Sequence, residues 1–264
     1  MRRLRWAGGL AAAAVLSAAP AAFADTLNLY TAGSSGTING ALFQQINVQP
    51  SGTGFISPFV RIQGPGNGGY ERGYNTDGVA EFETKEYGGH NWNHSIQIKD
   101  LATVNVNGVD YYQFWLDANE PNAQGSQNKN LIDLVELQVF LSNTGNNTGY
   151  PNLGTKIFDM DVGAQGNSTV GLNGDLAPGS GHYDMIANIR KSLFTGSDTQ
   201  YIYLYSGFGN SDDVPGDAAG GFEEWTAKAG VSAQAVPLPL TVWGGLSLLG
   251  LAGGGRYWRK RREL

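Results

Sequence analysis

Residues 103–116 of this 264-residue chain read Thr-Val-Asn-Val, then Asn107-Gly108, then Val-Asp-Tyr-Tyr-Gln-Phe-Trp-Leu. Asn and Gly tolerate the positive φ that both centres of a two-residue hairpin turn require, and the flanking β-branched and aromatic runs suit paired strands. A hairpin is therefore predicted here. The same punctuation recurs along the chain. Gly supplies 39 residues, roughly twice its ordinary share. Short alternating or aromatic runs predict further strands at 42–48, 58–63, 79–84, 95–99, 132–141, 157–162, 201–206 and 222–227, and one short helix at 186–194. Many short strands and almost no helix predict an all-β domain, a jelly-roll-like β-sandwich over residues 25–230.

Strand alternation divides the side chains between two faces. On the second hairpin strand, Tyr112, Phe114 and Leu116 form the expected core face, with Tyr111, Gln113 and Trp115 opposite. At 201–205, Ile202 and Leu204 are the expected core, and three tyrosines lie on the other side. The second set in each strand is either a half-exposed aromatic stripe or the cover of a second core. An exposed stripe can stack on sugar rings, which makes Trp92, Tyr111, Trp115 and Tyr203 the candidate carbohydrate-stacking residues.

Charge is unevenly spread. Residues 25–235 hold nine basic and 22 acidic side chains, a net charge of −13, while both ends are basic. An acidic body repels nucleic acid, so no nucleic-acid partner is expected. The absence of cysteine excludes disulfide staples, thiol catalysis and Cys-ligated metal. About 210 residues can still bury a core large enough to fold without disulfides.

The ends carry their own signals. Arg2, Arg3 and Arg5 precede an apolar stretch at 6–19, and Ala22-Phe23-Ala24 is a small-residue cleavage site. Residues 1–24 are thus expected to be a signal peptide, cut after Ala24 by signal peptidase during Sec-type export. At the other end, residues 231–235 form an expected linker. Val236-Pro237-Leu238-Pro239 follows, and residues 238–255 carry no charge. The tail 256–264 holds Arg256, Arg259, Lys260, Arg261 and Arg262. Eighteen uncharged residues reach the lower end of the transmembrane range, and the basic tail would stay cytoplasmic.

These three parts resemble the PEP-CTERM sorting signal of exosortase substrates, in its Val-Pro-x-Pro form. The resemblance covers residues 236–262 only. Val236, Pro237 and Pro239 match the frame, Leu238 stands where the commonest form has Glu, and Trp243 suits the variant form. It implies a precursor anchored in the inner membrane, then recognised by an exosortase and cut near the prolines. The body then passes to the cell surface or the extracellular matrix, with exopolysaccharide as a candidate partner. A sortase motif fits less well, because Val242 replaces the glycine after Leu238-Pro239-Leu240-Thr241. A plain membrane anchor has the same hydrophobic and basic parts.

Acidic side chains cluster at several strand ends. Asp117 with Asn119, and Asp159 with Asp161, each place two oxygen ligands on one side of an extended strand. Calcium takes six to eight oxygens, so a structural Ca²⁺ held by these four residues is the candidate metal site; no other cofactor is expected. Solvated surface carboxylates are the competing reading. No catalytic residue is assigned, since no Gly-x-Ser-x-Gly elbow occurs and nothing singles out one carboxylate pair. The expected role is structural or adhesive. A carbohydrate-binding module and, further off, a secreted glycan hydrolase are the alternatives.

Overall fold

Alternating side chains and tight turns generate almost every element of the chain. The computed structural model describes residues 25–48, 58–63, 69–82, 92–119, 130–161, 167–179, 181–209 and 221–228. Fourteen strands occur among them: β1 (Thr26–Leu29), β2 (Ser35–Ile38), β3 (Ala41–Val48), β4 (Val60–Ile62), β5 (Glu71–Tyr74), β6 (Ile96–Gln97), β7 (Thr103–Val106), β8 (Val109–Ala118), β9 (Leu131–Ser142), β10 (Thr155–Asp159), β11 (Thr169–Asn173), β12 (Tyr183–Arg190), β13 (Tyr201–Phe208) and β14 (Glu223–Ala227). The predicted hairpin is β7–β8, closed at Asn107 (φ 51°) and Gly108 (φ 85°). A second Asn-Gly pair, Asn39 and Gly40, also has positive φ and joins β2 to β3.

The strands form two seven-stranded sheets. The first runs β1-β11-β9-β13-β5, with β10 also on β9 and β6 also on β13. The second runs β2-β3-β12-β8-β14-β4, with β7 also on β8. Only the β1–β11 pair is parallel among the described strands. The fold is all-β, and one apolar core draws on both sheets as in a β-sandwich. Leu134, Leu137, Val139, Ile202 and Leu204 meet Phe43, Phe114, Leu116, Met185, Ala187 and Ile189 there. Trp225 of β14 crosses the interior and donates its indole N–H to Ser206 Oγ of β13 at 2.9 Å. Tyr112 joins this core, so the face assigned to Tyr112, Phe114, Leu116, Ile202 and Leu204 is the inner one.

Two local expectations are corrected. The helix predicted at 186–194 is strand β12 followed by a 3₁₀ turn, Lys191–Leu193. Residues 183–190 pair with β3 on one side and β8 on the other. Met185, Ala187 and Ile189 then point alternately inward, and that tertiary placement overrides local propensity. The strand predicted at 79–84 does not form over its described part, where Val79 is 89 % exposed.

Among the described residues no helix is long and apolar enough to cross a membrane. Residues 1–24, 231–235 and 236–264 lie outside the described residues. The expected signal peptide, linker, sorting motif and basic tail all fall there.

Candidate functional site

The outer face of the second sheet gathers polar groups that the core has no use for. On β8, Leu116 and Ala118 face inward, so Asp117 stands on the outer face with Gln113 and Trp115. On β12, Met185 and Ala187 face inward, which leaves Asp184, Ile186 and Asn188 outside. Cross-strand pairing joins Gln113 to Asn188 and Leu116 to Met185. One step past the end of this ladder lie Asp117 and Asp184, on the two adjacent strands.

Asp117 and Asp184 exchange support. Gly181 N–H, on the approach to β12, donates to Asp117 Oδ2 at 2.8 Å. Ala118 N–H of β8 donates to Asp184 Oδ2 at 2.8 Å. Each acid therefore captures a backbone donor from the other strand. The two residues are 1 % and 3 % exposed, so both carboxyls have lost most of their hydration. Asp184 Oδ1 is buried and accepts no hydrogen bond. Burial pushes Asp117 up to about 7; the charge of Glu224 adds to the rise, and Gly181 N–H and the Asn119 side chain oppose it. Burial pushes Asp184 up to about 8, the charge of Asp117 adds to the rise, and Ala118 N–H opposes it.

Their neighbours are already engaged. Glu224 of β14 pairs with Arg61 of β4 at 3.1 Å. Burial raises the Glu224 pKa and Arg61 opposes that rise. The guanidinium also lies 3.6 Å from the Phe222 ring and 5.1 Å from the Trp92 ring, a cation–π sandwich. Thr226 Oγ1 donates to Tyr183 Oη at 2.9 Å, and Tyr183 meets Trp115 edge-on at 5.0 Å. Deeper along the face, Gln113 Nε2 donates to Asn188 Oδ1, and Asn188 Nδ2 donates to Gln44 Oε1 and Leu42 O, each at 2.9 Å. Three strands are thereby tied by side-chain amides.

The four residues predicted to share a Ca²⁺ do not meet. Asp159 and Asp161 belong to the first sheet's side. Lys156 Nζ and Gln138 Nε2 donate to Asp159 Oδ2, and Gln138 lies on β9 between the inward Leu137 and Val139. Asp159 therefore sits on the outer face of the first sheet and Asp117 on that of the second, with the whole apolar core between them. Asn119, just past β8, stays near Asp117, and its N–H donates to Phe222 O at 3.0 Å. Asp161 accepts Ser168 N–H at 2.7 Å, and burial with the charges of Asp159 and Glu136 raises it to about 6. No group of three or more His, Asp or Glu is arranged to hold a metal among the described residues.

The candidate stacking residues also separate. Tyr203 is fully buried in a second core on the outer face of the first sheet, with Tyr74, Phe140, Leu153 and Tyr205. Its hydroxyl donates to Thr144 O and accepts Asn147 N–H. The tyrosines of β13 thus form the cover of a second core and offer no exposed stripe. Tyr111 is buried on β8. Trp92 and Trp115 are partly exposed. Asp184 was missed by sequence reasoning. An acid in the apolar run Tyr-Asp-Met-Ile-Ala-Asn-Ile is its one local signal, and the helical reading of 186–194 hid its register. The chain matches no family model, no curated protein and no solved structure.

Proposed function

We propose that this is an exported structural or adhesive protein of the cell surface or extracellular matrix, processed by an exosortase at a C-terminal sorting signal. The observation that carries the reading is the order of parts at 236–262: Val-Pro-Leu-Pro, an uncharged stretch to residue 255, then five basic residues. The apolar leader at 1–24 is consistent with export, and the absence of cysteine neither supports nor opposes it. In this reading 1–24 is a cleaved signal peptide, 238–255 is a transmembrane helix before processing, and the body is a jelly-roll-like sandwich. Its role is binding and support, without catalysis.

The direct test is mass spectrometry of the mature chain from a producing cell, with and without a functional exosortase. Cleavage near Pro237 or Pro239 that disappears without the exosortase is the expected result. A C-terminus still at Leu264 in both cells leaves a plain anchored protein.

A second reading rests on Trp92 and Trp115, the two candidate stacking residues that keep partial exposure. The buried Trp115 Nε1–H has no acceptor. A carbohydrate-binding role through these rings predicts retention on matrix polysaccharide, lost in Trp115→Ala. Unchanged retention removes it.

A further inference from the structure

We propose that Asp117 and Asp184 share a proton and form a pH-sensitive clasp between β8 and the start of β12, closed in acid and released in mildly alkaline medium. The inference rests on the fold alone and stands whether or not the chain is exported.

Two carboxyls lie on adjacent strands just past the end of the regular ladder, almost fully buried, each accepting a backbone N–H from the other strand's segment, and the charge of Asp117 acts on Asp184. Like charges placed directly opposite repel, and an isolated buried carboxylate is costly. Of the guanidinium groups on this face, Arg61 is held by Glu224 and two aromatic rings, and Arg190, at the far end of β12, donates to Gly40 O. A proton carried by one acid removes the repulsion and turns the orphaned Asp184 Oδ1 edge into a donor or a neutral acceptor. The reciprocal bonds from Gly181 N–H and Ala118 N–H then hold the two strand ends together.

Other titratable groups around the pair do not substitute for it. β14 presents Glu224, which adds negative charge, and Glu223, whose neighbours Ala118 and Ile62 lie on the inner face. β12 presents Tyr183, whose hydroxyl accepts from Thr226 and whose pKa is raised by burial. His182 precedes it, with a buried, unpartnered Nδ1. β3 carries no charged residue. Both acids have raised pKa values, so the folded form holds more protons than the unfolded chain. The clasp is therefore tightest below about pH 4 and loosens as pH rises through about 7 to 8.

The test is amide hydrogen exchange and thermal melting of the full chain from pH 4 to 9, beside Asp184→Asn. After correction for intrinsic exchange, wild-type protection at Ala118 and Gly181 should fall together by about tenfold or more between pH 6 and 9. The melting temperature should fall by about 5 °C or more over the same range. Asp184→Asn, which keeps an acceptor for Ala118 N–H, should flatten both trends and be the more stable chain at pH 9. Equal pH trends in wild type and variant assign the effect to groups other than the pair and overturn the proposal. So does a saturable rise in melting temperature with Ca²⁺ alone at pH 8, since the pair would then hold a cation. If Asp184→Asn does not fold, the wild-type carboxyl ¹³C shifts decide: two Asp titrating near 4 refute the clasp.

Discussion

The two outer faces of the sandwich solve one problem by different means. On the first sheet, β13 and β5 turn Tyr203, Tyr205 and Tyr74 outward, and a second apolar cluster grows over them. Tyr150 stacks on Tyr205 at 3.9 Å, and Phe82 meets Tyr74, Tyr205 and Tyr150 edge-on. On the second sheet the outward polar positions include Gln44, Gln113, Asn188, Asp117, Asp184, Glu224 and Thr226, held by side-chain hydrogen bonds, backbone N–H donors and the Arg61 ion pair. Burial in the first case removes apolar area from water. In the second case each buried polar atom must be matched or protonated. The aromatic face should therefore contribute more stability and respond less to pH near neutrality.

The largest expected effect tests the aromatic face. Tyr205→Ala deletes a fully buried ring stacked on Tyr150 and should cost roughly 3–5 kcal/mol. Chemical denaturation at pH 7 measures it. Asn188→Ala tests the polar face and removes bonds to Gln113, Gln44 and Leu42. The two glutamines can then turn toward water, so the cost should be about 2 kcal/mol. A larger loss from Asn188→Ala than from Tyr205→Ala reverses the ranking of the faces.

The next effect is a pH dependence with opposite content on the two faces. Asp117 and Asp184 have folded values near 7 and 8, so their stabilisation is complete below about pH 4 and is lost as pH climbs to about 8. Burial pushes Tyr30 and Tyr70 up to about 12, and it raises Tyr150, Tyr203 and Tyr205 as well. The phenols should therefore stay protonated until pH is far above neutral. A urea midpoint that falls between pH 5 and 8, and falls less in Asp184→Asn, sharpens the comparison. A wild-type midpoint that is flat over this range breaks it.

Much of this architecture could be foreseen from local pattern. The hairpin at 103–116 depends on Asn107-Gly108, whose positive φ is a property of those two residues. The inward set Tyr112, Phe114, Leu116, Ile202 and Leu204 followed from period-two alternation. Strand β12 was hidden because its evidence is tertiary: Ala187 and Asn188 show little strand preference alone, and pairing on both sides makes them a central strand. Strands β1, β2, β5 and β11 were missed because runs of four or five residues are too short to establish an alternation. Asp117 was singled out as a metal ligand because local spacing shows oxygen ligands. Its observed donor is Gly181 N–H, 64 positions on, and the nearby Asp184 feels its charge, a proximity that only strand pairing creates.

The smallest expected effect concerns an ion pair of the first face. Lys156 and Asp159 are three residues apart, with side chains 46 % and 21 % exposed, so water screens the pair. Lys156→Ala should change stability at pH 7 by less than about 1 kcal/mol. Its informative consequence lies next door. Lys156 lowers the Asp161 value, whereas burial and the charges of Asp159 and Glu136 raise it to about 6. Removing the ammonium should move Asp161 further up, and its carboxyl ¹³C titration reads that shift directly. Upward movement with an unchanged denaturation midpoint makes this edge electrostatically responsive but energetically minor. A fall in midpoint comparable to that of Asn188→Ala would mean that the first face also depends on a polar tie.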